Sequence, residues 1–109
     1  MPDFYSLPDD VTWTEVSPGN RRAVLSHRPE MMLVAFRFEE GAVGALHHHP
    51  HTQVSYVAEG AFEVTVDGVT ATLVAGSSFI VAPNLIHGVA ALQAGLLIDT
   101  FTPMRDDFL

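Results

Sequence analysis

The stretch Gly41–Gly60, GAVGALHHHPHTQVSYVAEG, governs the interpretation of the whole sequence. It places four histidines within five positions, followed by a glutamine: His47, His48, His49, His51 and Gln53. Short apolar runs that are typical of strands lie on both sides. Imidazole is the side chain that most often binds metals in proteins. The stretch therefore predicts a metal site in the middle of a folded chain, with the remaining residues as its scaffold.

The sequence around this stretch is a series of short strands. Met31–Glu39 is largely apolar on both alternating faces, which is typical of a central strand. Asp67-Gly68 between two alternating runs is a strong signal for a two-residue hairpin. No segment of helical length has a 3.6-residue period, so we expect an all-β antiparallel protein with two sheets or a closed barrel. The predicted strands are Val11–Val16, Arg21–His27, Met31–Glu39, Gln53–Ala58, Ala61–Asp67, Val69–Val74, Ser78–Ala82 and Leu96–Phe101.

The composition excludes several kinds of site and partner. The 109 residues contain no cysteine and no lysine, which excludes disulfides, thiolate-rich zinc sites, thiol nucleophiles and lysine Schiff bases. A net charge of -8 argues against nucleic-acid binding, because phosphate contacts need a basic surface. The acidic N-terminus lacks a signal-peptide pattern and no apolar run is as long as a membrane span, so we expect a soluble cytoplasmic protein. We expect one domain over residues 1–109, with an arm over 1–10 and a tail over 102–109.

Three histidines and a glutamine form a plausible ligand shell for a divalent metal ion. A β-strand places residues i and i+2 on one face, roughly 6.5–7 Å apart. His47 and His49 can therefore point inward while His48 points outward. Gln53 would come from the start of the next strand and His87 from a later hairpin. Three imidazoles and one amide oxygen then leave open positions for a ligand.

The spacing of these residues resembles the first motif of the cupin superfamily. That motif stands here as Gly41-x5-His47-x-His49-x3-Gln53-x6-Gly60, with Gln53 where most metal-binding cupins have glutamate. A second, weaker motif has alanine, asparagine and alanine in place of the usual proline, glycine and asparagine. Its positions are Gly76, Ala82, Asn84, His87 and Ala91. The resemblance implies a single-domain cupin, which is a double-sheet antiparallel β-barrel of the jelly-roll type.

The glutamine has a consequence for the chemistry of the predicted site. Three neutral imidazoles and a neutral amide leave the +2 charge of a metal uncompensated, which favours binding of an anionic ligand over a high-valent oxidised metal. We therefore expect carboxylate- or enolate-binding chemistry rather than a dioxygenase reaction. The ligand set accepts nickel, zinc, iron, manganese or cobalt. His51, in the connection after Pro50, is expected to lie outside the ligand set.

The last strand and the tail contain a second group of candidate functional residues. Asp99 and Phe101 are two residues apart and therefore share a face of their strand. Arg105 follows in the tail. If the three converge on the metal site, the acid would carry a proton, the aromatic would form an apolar wall and the arginine would bind a carboxylate. Structural roles are the alternative: a solvated acid, a core aromatic and an arginine paired with a neighbouring aspartate.

The ending DTFTPMRDDFL, residues 99–109, and the stretch GALHHHPHTQVSYV, residues 44–57, are similar to the KdgF family of small cupins from pectin and alginate catabolism. Members of that family convert ring-form 4,5-unsaturated monouronates to the linear 5-keto-4-deoxyuronate. The resemblance implies a small sugar-acid substrate and a homodimer. It also implies the metal ligands His47, His49, Gln53 and His87, with functional residues Asp99, Phe101 and Arg105.

Two other functions are compatible with the sequence. One is a non-catalytic cupin that binds a metal and a sugar acid, and the less favoured one is a metal-dependent dioxygenase. A cupin barrel alone does not define a function, because function resides in the site. The sequence does not decide between pectin- and alginate-derived substrates. It also leaves the roles of His48, His51 and Tyr56 open.

Overall fold

The computed structural model describes residues 4–109, and its regular secondary structure is almost entirely β-strand. The strands are β1 (Thr14–Ser17), β2 (Asn20–Arg28), β3 (Met31–Phe38), β4 (Val43–His47), β5 (Thr52–Glu59), β6 (Ala61–Val66), β7 (Val69–Val74), β8 (Ser78–Val81), β9 (His87–Ala91) and β10 (Gly95–Thr102). Single-turn 3-10 helices span Pro8–Asp10 and Asp106–Phe108. The described residues contain no helix that is long and apolar enough to cross a membrane. The prediction of an all-β protein is confirmed.

The strands form two antiparallel sheets. The six-stranded sheet has the order β1-β2-β3-β10-β5-β8, and the four-stranded sheet has the order β4-β9-β6-β7. The hairpin between β6 and β7 turns at Asp67 and Gly68, whose φ angles are 49° and 78°. Turns with positive φ at both central residues match the twist of the flanking strands, which is why Asp-Gly predicts this hairpin correctly.

The apolar core lies between the two sheets. Phe38 of β3 and Phe62 of β6 meet edge to face, with ring centroids 5.3 Å apart. β3 lies between β2 and β10 and buries Met32 and Val34 completely, as expected for a central strand. Phe101 of β10 packs into the same cluster as Met32 and Val34. The core therefore holds β10, the strand with the predicted acid and aromatic, in the middle of the larger sheet.

The largest differences from the sequence prediction are two strand limits and one missed strand. β1 begins at Thr14 rather than Val11. β4 ends at His47, because its pairing partner β9 begins at His87 and the ladder stops at that residue pair. β9 itself was not predicted as a strand, since its glycine and alanines carry little strand propensity. His48 and His49 consequently lie in the connection between β4 and β5.

The two ends of the chain differ in how they contact the barrel. Of the predicted arm, residues 1–10, the first three lie outside the described residues, and residues 4–10 are exposed. In the tail, by contrast, Arg105 is buried and Phe108 packs against the cluster around Phe101. The limits of the single domain, 1–109, stay a prediction.

Candidate active site

A cavity of about 420 Å³ lies between the two sheets. On the six-stranded sheet, the cross-strand partners Gln53 of β5 and Phe101 of β10 line the cavity. Asp99, two residues before Phe101 on β10, lines it as well. On the four-stranded sheet the cross-strand partners His47 and His87 line it. Strand register therefore brings residues that are far apart in the sequence into one cavity.

Three of the predicted ligands, His47, His49 and His87, converge beside this cavity. Each offers one ring nitrogen, and these three atoms all lie within 4.8 Å of one another. Alternation along a strand is not the reason, because β4 ends at His47 and His49 reaches the cluster from the connection that follows. His49 and His87 are buried, whereas His48 is exposed outside the cluster.

Backbone carbonyl groups orient two of the imidazoles. The Nδ1–H of His47 donates to the carbonyl oxygen of Ala45 at 2.9 Å. The Nδ1–H of His87 donates to that of Leu85, also at 2.9 Å. A neutral imidazole carries only one hydrogen on nitrogen, so the Nε2 atoms of both rings keep their lone pairs. Histidines that bind metals are typically held by such a hydrogen bond from their other nitrogen.

Gln53 presents its amide oxygen to the histidines. Its Oε1 atom lies 3.0 Å from Nε2 of His49 and 3.1 Å from Nε2 of His87. Its Nε2 atom donates to Ser55 Oγ at 2.9 Å and to Asp99 Oδ2 at 3.3 Å. Because Nε2 of His87 carries a lone pair, two acceptors face each other across 3.1 Å. A cation that accepts both lone pairs would relieve this repulsion, so the donor set fits a divalent metal ion.

Burial keeps two of the imidazoles neutral. Desolvation is the largest cause that lowers the pKa of His49 to about 4, and the Arg105 guanidinium is the second. Desolvation also lowers the pKa of His87, although the hydrogen bond to Leu85 acts in the opposite direction. Both rings are uncharged at neutral pH, which is the form that can bind a metal.

Asp99 is a buried carboxyl group next to the histidine cluster. Burial raises its pKa to about 7, although the Ser55 hydroxyl and the charge of Arg105 act in the opposite direction. Its Oδ2 atom accepts from Gln53, while its Oδ1 atom has no hydrogen-bond partner among the described residues. Asp99 is therefore not a solvated acid at the end of a strand. A carboxyl group with this pKa exists in both protonation states near neutral pH.

Phe101 and Arg105 lie beside the histidines. The Phe101 ring meets the His49 ring edge to face, with centroids 5.6 Å apart. The guanidinium carbon of Arg105 lies 5.1 Å from the centroid of Phe101. Arg105 is buried and bonds Asp107 in a bidentate manner, through Nε at 3.0 Å and Nη2 at 2.9 Å. Arginine has five N–H groups, so those not used by Asp107 remain available to a ligand.

Most of the chain is similar to proteins that are already known. It matches the cupin domain family over residues 34–97. It is 39% identical over 107 residues to the pectin degradation protein KdgF of Dickeya dadantii (strain 3937), with 96% of this chain and 97% of the relative covered. The chain belongs to the cupin family as a KdgF-like small cupin.

Two solved structures are closely similar to this KdgF-like cupin. The structure of KdgF from Halomonas sp. superposes with a TM-score of 0.91 at 39% identity, covering 96% of this chain and 97% of that one. An RmlC-like cupin from Shewanella frigidimarina NCIMB 400 superposes with a TM-score of 0.93 at 43% identity, covering 97% and 96%. The predicted family and the double-sheet cupin barrel are confirmed.

The cavity wall of this KdgF-like cupin includes residues that the sequence patterns missed, among them an arginine and an aromatic of the tail. Arg22 of β2 lines the cavity, and its guanidinium carbon lies 3.9 Å from the centroid of the Phe108 ring. Phe108, in the 3-10 helix of the tail, lines the cavity as well. Alternation along β2 from the buried Asn20 would have placed Arg22 on the inner face. Its contact with the tail cannot be read from that alternation.

The residues of undecided role fall into two groups. His51 is half-buried, and its ring centroid lies 5.4 Å from that of His49, although His51 is not part of the three-histidine cluster. Tyr56 and His48 are exposed and do not line the cavity. Only His51 is therefore close enough to influence the histidine cluster directly.

Proposed function

We propose that this KdgF-like cupin converts ring-form 4,5-unsaturated monouronates to the linear 5-keto-4-deoxyuronate with a divalent metal ion bound. The observation that carries the proposal is one cavity lined by histidine donors, a carboxyl group of pKa about 7, and an arginine. The relative named as a pectin degradation protein supports an unsaturated uronate as the substrate. The proposed ligands and functional residues are His47, His49, Gln53, His87, Asp99, Phe101 and Arg105.

The metal would be held by Nε2 atoms of the histidines and by Oε1 of Gln53. All four groups are uncharged as donors, so the protein leaves the dication's charge available to an anionic ligand. When bound, the metal supplies a Lewis-acidic charge that stabilises negative charge on oxygen. The donor set does not select among nickel, zinc, iron, manganese and cobalt.

The proposed reaction is an isomerisation that needs no co-reactant. The anomeric hydroxyl loses its proton, the bond between carbon 1 and the ring oxygen breaks, and carbon 1 becomes an aldehyde. The former ring oxygen is left on carbon 5 as an enolate. A proton added to carbon 4 then gives the 5-keto group. Atoms and charges balance, because one proton leaves oxygen and one proton arrives at carbon.

Asp99 is the proposed proton carrier. Asp99 lines the cavity, and its buried Oδ1 atom has no hydrogen-bond partner among the described residues, so the carboxyl group keeps an unused acceptor there. Its pKa of about 7 lets the same group accept a proton at one step and donate it at another at neutral pH. Phe101 would form the apolar wall against which the sugar ring lies, and its contact with His49 holds that wall beside the metal ligands.

Arg105 is proposed to bind oxygen atoms of the substrate. Its ion pair with Asp107 leaves N–H groups unused and holds the guanidinium in place on the Phe101 ring. Donors that are fixed before the reaction stabilise a developing enolate without reorganisation. Arg105 would thus supply fixed N–H donors to the oxygen on which negative charge develops.

The test is the conversion of freshly generated 4,5-unsaturated galacturonate, followed by proton NMR against the spontaneous reaction. We expect metal-loaded protein to accelerate formation of the linear keto acid and metal-stripped protein to lose that acceleration. Unchanged kinetics with metal-loaded protein would contradict the proposal and favour a non-catalytic sugar-acid-binding cupin. Repeating the assay with an alginate-derived unsaturated uronate would define the substrate preference.

Homodimer formation and a cytoplasmic location stay predictions.

A further inference from the structure

Arg22 lies on the same cavity wall as Asp99 but comes from a part of the chain outside the cupin motifs. In the six-stranded sheet Arg22 is the partner of Phe36, which is the partner of Leu97. Arg22, Phe36 and Leu97 therefore form one row across the sheet. Asp99 is two residues after Leu97 on β10, so it lies on the same face in the adjacent row. Arg22, Leu97 and Asp99 all line the cavity.

The tail positions the Arg22 side chain. The guanidinium carbons of Arg22 and Arg105 lie 3.9 Å and 4.2 Å, respectively, from the centroid of the Phe108 ring. A cation this close to an aromatic face is attracted by the ring, and the planar guanidinium also stacks on it. Phe108 therefore brings two arginines that are far apart in the sequence to the same side of the cavity.

These two arginines differ in how their charges are balanced. Arg105 is neutralised by its bidentate ion pair with Asp107. Arg22 takes part in none of the ion pairs among residues 4–109, which are Arg28–Glu30, Arg37–Glu59 and Arg105–Asp107. Burial lowers the pKa of Arg22, Asp107 raises it, and Arg105 lowers it further. A half-buried guanidinium beside another guanidinium is costly unless an anion binds there.

We propose that Arg22 binds the carboxylate of the acidic sugar and makes the cavity selective for uronates over neutral sugars. A guanidinium and a carboxylate match as two parallel N–H···O bonds, which a hydroxymethyl group cannot reproduce. Arg22 supplies the unpaired charge, whereas Arg105, already paired, supplies further N–H donors. The inference deepens the proposed function and rests on it for the class of ligand.

Binding of saturated sugars by the metal-loaded protein tests this inference without turnover. Galacturonate has no double bond between carbons 4 and 5 and cannot undergo the proposed reaction, and galactose differs from it by lacking the carboxylate. NMR titration gives the dissociation constant of each. We expect wild-type protein to prefer galacturonate and Arg22→Gln to bind galacturonate roughly tenfold more weakly or worse, with galactose unaffected.

Arg21→Gln is the matched control. It removes the same charge from the neighbouring residue of β2, whose exposed side chain lies over Trp13 rather than in the cavity. We expect Arg21→Gln to bind both sugars as wild type does. Arg22→Lys keeps the charge without the planar fork and should lie between wild type and Arg22→Gln. If Arg22→Gln fails to fold, an unchanged preference in folded Arg22→Lys overturns the proposal.

Other outcomes separate this inference from the proposed function. Equal affinity of the wild-type protein for galacturonate and galactose overturns the inference, and so does wild-type affinity for galacturonate in folded Arg22→Gln. If the unsaturated uronate is not converted but the Arg22-dependent preference for galacturonate persists, the inference holds and the proposed catalytic function fails.

Discussion

The two walls of the cavity hold their functional side chains by different means. On the four-stranded sheet, His47 and His87 each donate to the carbonyl group two residues earlier. On the six-stranded sheet, Asp99 is held by side chains of another strand, including Gln53. The histidine wall thus depends on local backbone geometry, while the acid wall depends on contacts across strands. We therefore expect a change of the acid to leave His47 and His87 in place and to reach the proposed ligand Gln53 through only one of its two donor contacts.

The largest expected effect is on the reaction. Asp99→Asn keeps the shape of the side chain but cannot carry the proton, so we expect the acceleration of uronate conversion to fall roughly 10²–10⁴-fold. Metal content, measured by elemental analysis, should stay at the wild-type level because backbone carbonyl groups hold His47 and His87, and Gln53 keeps its hydrogen bond to Ser55. A variant that loses metal together with activity would place Asp99 in support of the ligands instead.

A smaller effect is expected on folding of the metal-free protein. The raised pKa of Asp99 means that the folded state keeps its proton up to about pH 7, whereas the unfolded chain releases it near 3.8. The stability contributed by the neutral carboxyl is thus fully present below pH 3.8 and is lost as the pH rises to about 7. The difference between these pKa values corresponds to about 4 kcal/mol.

Denaturant unfolding of wild-type and Asp99→Asn protein at pH 4 and pH 8 measures this effect. The amide does not ionise, so the stability of the variant relative to wild type should increase between the two pH values. All other titrating groups are shared by both proteins and cancel in the difference. Parallel pH profiles for the two proteins would mean that the carboxyl group is not destabilised by burial.

The smallest expected effect concerns one ligand of the histidine wall. Removing a histidine leaves two imidazoles and the amide as ligands. His47→Ala should therefore weaken metal binding by roughly 100-fold, because changes to outer-shell contacts alone already cost up to about that much. The folded structure should survive, because His47 is exposed. Metal titration of the chelator-stripped variant checks this. Unchanged affinity would remove His47 from the proposed ligands, and His48→Ala, on an exposed neighbour, is the control.

Different parts of the fold were predictable from the sequence to different degrees. The Asp67-Gly68 hairpin and the central position of β3 followed from local turn chemistry and from apolar residues on both faces. β9 was missed because glycine and alanine give little strand signal, although its pairing with β4 and β6 fixes it in the sheet. The end of β4 was missed for the same reason, since it depends on where β9 begins.

The candidate site divides in the same way. The sequence by itself determined the family and which residues were candidates, because the spacing of His47, His49 and Gln53 lies within one short stretch. Tertiary structure alone decided that Asp99 is buried with a pKa of about 7 and that Arg22 shares the Phe108 ring with Arg105. Local alternation tells only which face a side chain occupies. Sheet order and register, which join strands far apart in the sequence, decide what that side chain meets.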